Sequence, residues 1–249
     1  YRFNVKDKLE FSLHSSARMP DFIYLLYQSE YENYNWQNTS NFENQKVNSL
    51  QFQFDSKTWG NIAAKYTTID NYTYFGADTG QEFVENQEQA TIKPFQESSS
   101  VGHLKVKYIK EFKVGGFALN NTIMYQNVSQ SNDVLNVPQL VTRNTLYFSS
   151  NVFKKAMYLQ TGITFKYFTG YNMDAYNPVL GEFYIQNNEE LGGFPMLDFF
   201  INARIQQTRI YLKAEHFNSS FSGFNFYSAP NYPYRDFVIR FGLVWNFFS

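Results

Sequence analysis

Apolar and polar residues alternate with a period of two along most of this chain. Between residues 196 and 206, Leu197, Phe199, Ile201, Ala203 and Ile205 fall on one side, opposed by Asp198, Phe200, Asn202, Arg204 and Gln206. Residues 155–168 repeat the arrangement, with Met157, Leu159, Ile163, Phe165 and Tyr167 against Tyr158, Gln160, Thr164 and Lys166. Residues 49–55 are a short, clean case, in which Leu50, Phe52 and Phe54 interleave with Ser49, Gln51, Gln53 and Asp55. A strand turns successive side chains to opposite faces, so strict alternation predicts a strand with one apolar and one wet face. Extended along the chain, the pattern predicts about eleven strands, near 5–16, 21–35, 46–56, 58–72, 100–112, 116–128, 139–151, 155–169, 194–206, 208–219 and 234–248. Several reach the roughly 9–11 residues that a tilted strand needs to cross a bilayer.

The intervening connections sort into two kinds. Those near 17–20, 56–58, 113–115, 152–154 and 206–208 are short, whereas those near 36–45, 73–99, 129–138, 170–193 and 220–233 are long and polar. Short and long alternate along the chain, as the periplasmic turns and extracellular loops of an outer-membrane barrel do. On this reading the last strand and the first both run inward, so the chain would begin outside the cell. Bacterial barrels generally have an even strand count. The odd number therefore predicts further strands ahead of residue 1, making the chain the C-terminal part of a single longer β-barrel domain.

Composition sharpens the choice of solvent. The 249 residues include 27 Phe and 20 Tyr, aromatics make up 20%, and only 17% are charged. A soluble domain carries nearer about 25% charged residues. Many aromatics with few charges and many Asn, Ser, Gln and Thr suit a barrel with lipid outside and water inside. The competing all-β architecture, a soluble sandwich such as a carbohydrate-binding module, would have shorter strands and more Lys and Glu outside. No run approaches 18 consecutive apolar residues, which excludes a transmembrane helix but not a barrel. Zero cysteine excludes disulfides, a thiol nucleophile and zinc–cysteine sites, and a net charge of −1 gives no reason to expect nucleic acid.

The last strand decides between the two architectures. Phe237, Ile239, Phe241, Leu243, Trp245 and Phe247 form one apolar face. Arg240, Gly242, Trp245 and Phe247 stand at the spacing of the terminal signal by which barrel proteins are recognised for outer-membrane insertion, and the strand resembles that signal. A terminal strand with a free edge can be templated onto another barrel's edge. The implied partners are outer-membrane lipid and the barrel assembly machinery.

From about residue 70 onward the chain also resembles the "putative porin" family of Bacteroidota. The resemblance rests on Asn71-Tyr72-x-Tyr74-Phe75, Pro94-x-Gln96, Tyr125-Gln126, Pro138 with Arg143-Asn144-x-Leu146-Tyr147, Gln160-Thr161-Gly162 and Tyr167-Phe168. It continues through Ala175-Tyr176-x-Pro178-x-Leu180-Gly181-x-Phe183-x-x-Gln186, Asp198-x-Phe200-x-Asn202, Lys213-x-Glu215 and Tyr232-Pro233. It implies a longer barrel and passive diffusion of small solutes.

If the apolar faces meet lipid, the opposite faces line the interior. That set contains Lys65, Lys105, Lys107, Arg143, Lys166, Arg204, Arg209, Lys213 and Arg240 against Asp55, Asp198, Glu215 and Asp236. Glu82, Glu85, Glu88, Glu182, Glu189 and Glu190 fall in loops. A net basic wall would make a wide lumen mildly anion-preferring. The plainer alternative is that Arg204, Arg209, Lys213 and Glu215 pair with Asp198 and Asp236 across strands and select nothing. Tyr147, Phe148, Phe153, Tyr167, Phe168, Phe217, Phe247 and Phe248 near strand ends suit interfacial girdles. The aromatic loop 218–234 could form a constriction, contact a partner or stack on sugars. Catalytic constellations are poor: His14, His103 and His216 sit on different strands without ligand spacing, and His216 near Ser219 and Ser220 is the only hydrolase-like pair. No cofactor is expected. Two functions follow: a porin, or a non-conducting barrel subunit of a larger outer-membrane assembly, for which the inward Tyr158, Phe168, Phe200 and Tyr211 speak.

Overall fold

The computed structural model describes residues 7–78, 91–221 and 226–246. Ten long strands carry the fold: β1 (Asp7–Arg18), β2 (Gln45–Ser56), β3 (Gly60–Asp70), β4 (Val101–Val114) and β5 (Phe117–Ser129) are followed by β6 (Leu140–Val152), β7 (Met157–Phe168), β8 (Met196–Ile205), β9 (Thr208–Glu215) and β10 (Val238–Trp245). They form one antiparallel sheet in strict chain order, each strand bonded to its sequence neighbours. This is the order expected of a meander whose period-two pattern fixes the register.

The segment 21–35 is not a strand. Phe22–Leu25 forms a single helical turn, and Leu26–Tyr27 pairs with Trp36–Gln37 as a two-residue ladder. The run Phe22-Ile23-Tyr24-Leu25-Leu26 has no alternation, so a pleated arrangement would have turned apolar residues to both faces. Local bonds hold the compact alternative: the Trp36 indole donates to the Ile23 carbonyl (2.8 Å), and the Asn38 amide to that of Leu25 (2.6 Å).

That change alters the strand count and the direction of the chain. Among the described residues the long strands of the sheet number ten, and β1 runs from the short-turn end toward the long-loop end, as β3, β5, β7 and β9 do. The parity argument for strands ahead of residue 1 therefore falls. Turns of two to four residues join β2–β3, β4–β5, β6–β7 and β8–β9, while the other connections are long. Among the described residues no ladder joins β1 to β10, so the sheet is open and not a closed barrel.

Register assigns the two faces. On one, Phe11–Phe52–Ala64–Val106–Tyr125–Leu140 and Leu119–Leu146–Ile163–Phe199–Ala214–Ile239 run strand to strand as apolar rows. These side chains are not a buried core, since Leu13 is 75% exposed and Phe241 82%. An apolar face of this extent would drive aggregation in water and is the surface that lipid covers. Apart from Ala118 beside the β4–β5 turn, the deeply buried apolar residues, Phe75, Ile92, Val101 and Phe226 among them, lie instead in or beside the long loops.

Candidate functional site: the polar face and its loop cap

The face opposite the apolar one gathers the charged positions. By register, Asp55, Lys65, Lys105, Lys107, Arg143, Lys166, Asp198, Arg204, Arg209, Lys213, Glu215 and Arg240 all share it. One row reads Lys8–Asp55–Asn61–Ile109–Thr122–Arg143–Lys166–Met196. Tyr158, Phe168, Phe200 and Tyr211 are on the same face. Tyr147 and Phe168 are too, which removes them from a lipid-side girdle; the Tyr147 hydroxyl donates to Glu111 (2.5 Å). Asp236 stands apart, exposed in the stretch before β10. Phe247 and Phe248 lie outside the described residues.

Two parts of this face differ. At the long-loop end of β7–β10 the charges are paired. Asp198, 2% exposed, accepts from Lys166 (2.5 Å), lies 3.2 Å from Lys213 and takes the backbone N–H of His216 (3.0 Å). Lys213 also reaches Glu215 (2.6 Å), which lies 2.9 Å from Arg235 and 3.2 Å from Arg240. Lys213 thus pairs as the plainer reading expected, whereas Lys166, Arg235 and Arg240 take the places foreseen for Arg204 and Arg209. Elsewhere Lys8 and Lys113 pair with Glu10 and Glu111 (both 2.6 Å), whereas Lys65, Lys105, Lys107, Arg143, Arg204 and Arg209 have no ion-pair partner among the described residues, and Lys65 faces Lys105 directly.

The long loops build a second feature, a cap with its own small core. Phe75 and Ile92, from the paired segments Thr73–Ala77 and Ile92–Gln96, pack with Ala175, Leu180 and Tyr184 of the β7–β8 loop. Ile23, Tyr24, Tyr27, Tyr34 and Trp36 of the β1–β2 loop close over them, and burial pushes the Tyr24 phenol up to about 12. The Ile185 amide donates to the Phe75 carbonyl (2.8 Å), and Asn177 to the Tyr34 hydroxyl (3.1 Å). Glu97 accepts from the Ser99 amide and the Asn132 side chain (both 2.9 Å), and Asn187 donates to the Asp133 carbonyl (2.9 Å). Phe194, Met196, Phe226, Phe168 and Tyr234 form a second cluster around His216, so much of the aromatic loop 218–234 is packing. Gly223 and Phe224 lie outside the described residues, as do Glu82, Glu85 and Glu88.

The β1–β2 and β7–β8 loops meet although five strand intervals, roughly 24 Å of flat sheet, separate β2 from β7. The cap therefore bridges positions far apart in the sheet. Sequence reasoning missed it because loop-to-loop contacts leave no period. The one signal was the aromatic density of segments such as 22–36 and 72–75. Among the described residues no cluster of His, Asp and Glu could hold a metal, and no helix is long and apolar enough to cross a membrane.

Solved structures share the fold at low identity. The copper transporter OprC aligns with a TM-score of 0.59 and 14% identity, covering 84% of this chain and 31% of its own. The siderophore receptor PirA from Acinetobacter baumannii aligns with a TM-score of 0.59 and 8% identity, covering 97% and 39%. This chain thus spans between three and four tenths of those proteins' lengths. No curated protein matches it. One family profile, described as "Putative porin", matches residues 1–249, so the likeness extends ahead of residue 70 to the first strand. The chain belongs to that porin family and is an outer-membrane protein.

Proposed function

We propose that this chain forms the wall of an outer-membrane pore admitting small hydrophilic solutes by passive diffusion, with a mild preference for anions. The observation that carries the reading is the set of uncompensated cations on the polar face. Lys65, Lys105, Lys107, Arg143, Arg204 and Arg209 face the same side as the paired cluster without carboxylate partners among the described residues. Fixed charge of one sign in a water-filled passage biases permeation toward the other. The short-turn end is the periplasmic one, the cap lies outside the cell, and β10 presents Arg240, Gly242 and Trp245 to the assembly machinery. The work is transport, not catalysis.

Single-channel recording in a planar bilayer under a salt gradient tests this. Discrete steps with a reversal potential of anion sign are expected, and Lys65→Gln/Lys105→Gln should move that potential toward zero. A protein that inserts yet stays electrically silent would instead be a scaffold for a larger outer-membrane assembly. The cap and the inward Tyr158, Phe168, Phe200 and Tyr211 favour that second reading.

A further inference from the structure

Near the short-turn end of the polar face, two adjacent cross-strand rows make a pocket that the charge balance of the wall does not explain. The first row is Tyr158–Arg204–Arg209–Val244, and the second is Gln160–Asn202–Tyr211–Gly242. All of these but Gly242, together with Ala203 and Ile210, line a cavity of about 400 Å³. Arg204 and Arg209 are direct partners across β8 and β9. Directly opposed like charges, with Cβ atoms about 5 Å apart, destabilise a strand pair. Among the described residues neither has an ion-pair partner. Asp198 and Glu215 sit six positions further along their strands, about 20 Å away, and are already engaged with Lys166, Lys213, Arg235 and Arg240.

The surrounding side chains hold this arrangement open. The Arg204 guanidinium lies over the Tyr158 ring, 5.6 Å from its centroid. Tyr211 rests on Gly242, where an added Cβ would fall inside its ring, so that ring forms a fixed wall. Asn202 donates to the Gln160 carbonyl oxygen (3.3 Å), which leaves the Gln160 amino group free to donate toward the pocket. The lining thus offers two guanidiniums, an amide N–H and two phenols, and no carboxylate.

We infer that this pocket binds an oxyanion solute of the phosphate type, the planar guanidinium forks each meeting two of its oxygens. The inference rests on the polar face being open to solute, as proposed above. A lipid headgroup is not the source, because register puts these side chains opposite the lipid-covered face.

Equilibrium dialysis of radiolabelled inorganic phosphate against the whole protein in lipid-free maltoside micelles, at low ionic strength, provides the test. Saturable binding is expected. Arg204→Gln and Arg209→Gln should each weaken it at least ~10-fold, and the double variant should abolish it. Lys155→Gln, in the neighbouring β6–β7 turn, should leave it unchanged. On the unaltered protein, phosphate should slow phenylglyoxal modification of Arg204 and Arg209, but not of Arg143, as mapped by mass spectrometry. No saturable binding, equal binding by the double variant, or equal protection of Arg143 would overturn the site. Phosphate binding by a protein that conducts nothing would keep the site and remove the channel reading.

Discussion

Gly242 shows what a single residue does at the end of this sheet. In sequence it reads as one position of an insertion signal. In the fold it pairs with Tyr211 and leaves room for that ring. These roles separate experimentally. Gly242→Val should lower the yield of heat-modifiable, folded protein several-fold, and pairing it with Tyr211→Ser should restore most of that yield. A double variant no better than Gly242→Val would mean that the glycine serves recognition alone. Asp198 is the other residue on which much depends. It is almost fully buried and takes two lysines and a backbone amide. Removing one partner of a buried charge set leaves the others uncompensated, so Asp198→Ala should cost about 3 kcal/mol in urea unfolding from lipid vesicles. Lys166→Gln, at the more exposed end of the same contact, should cost about 1 kcal/mol or less. Alternation alone placed Asp198, Lys213 and Glu215 on one face. It was silent on Arg235 and His216, which join the cluster from outside any strand.

At the scale of elements, strands were legible and loops were not, for a physical reason. A half-buried strand must alternate because its two faces meet different solvents, so 49–55, 155–168 and 196–206 declared themselves. The segment 21–35 opens on an apolar run without alternation, and Ile23, Tyr24, Tyr27 and Tyr34 turn to a core that other loops supply. Taking it for a strand reversed the direction of β1 and generated an apparent need for missing sequence. The loops have their own chemistry, which Glu97 illustrates. Burial pushes its carboxyl up, but hydrogen bonds from Ser99 and Asn132 outweigh this and hold it below the usual carboxylate range. A lowered folded value means the contact contributes stability above the unfolded carboxylate pKa and loses it as pH falls from there through the folded one. Hydrogen exchange in residues 130–134, corrected for intrinsic rates, should quicken across that acid window. Glu97→Gln should flatten the dependence. Identical profiles for the two proteins would show that Glu97 does not govern the loop contact.

The whole molecule combines two layers with separate sources of stability. The sheet draws on ladder hydrogen bonds and on lipid against its apolar face, while the cap draws on a compact aromatic core that touches little of that face. The layers should therefore fail independently. Phe75 is 2% exposed at the centre of the cap. Replacing a buried Phe by Ala typically costs about 3–5 kcal/mol through lost burial and the cavity left behind. In a cap of this size such a loss should release the β1–β2, β3–β4 and β7–β8 loops together, since all three meet at Phe75. Phe75→Ala should then become cleavable by chymotrypsin at Tyr184, which is buried in the unaltered cap, while its heat-modifiable migration, a property of the sheet, stays unchanged. Conductance supplies the functional consequence. If the bridging loops roof the passage, the variant should conduct more per channel than the unaltered protein, with the same ion preference, because Lys65, Lys105 and Lys107 remain in place. Greater cleavage without any gain in conductance would put the cap beside the passage, and the resistance to flow would then lie among the inward aromatics of β7–β9.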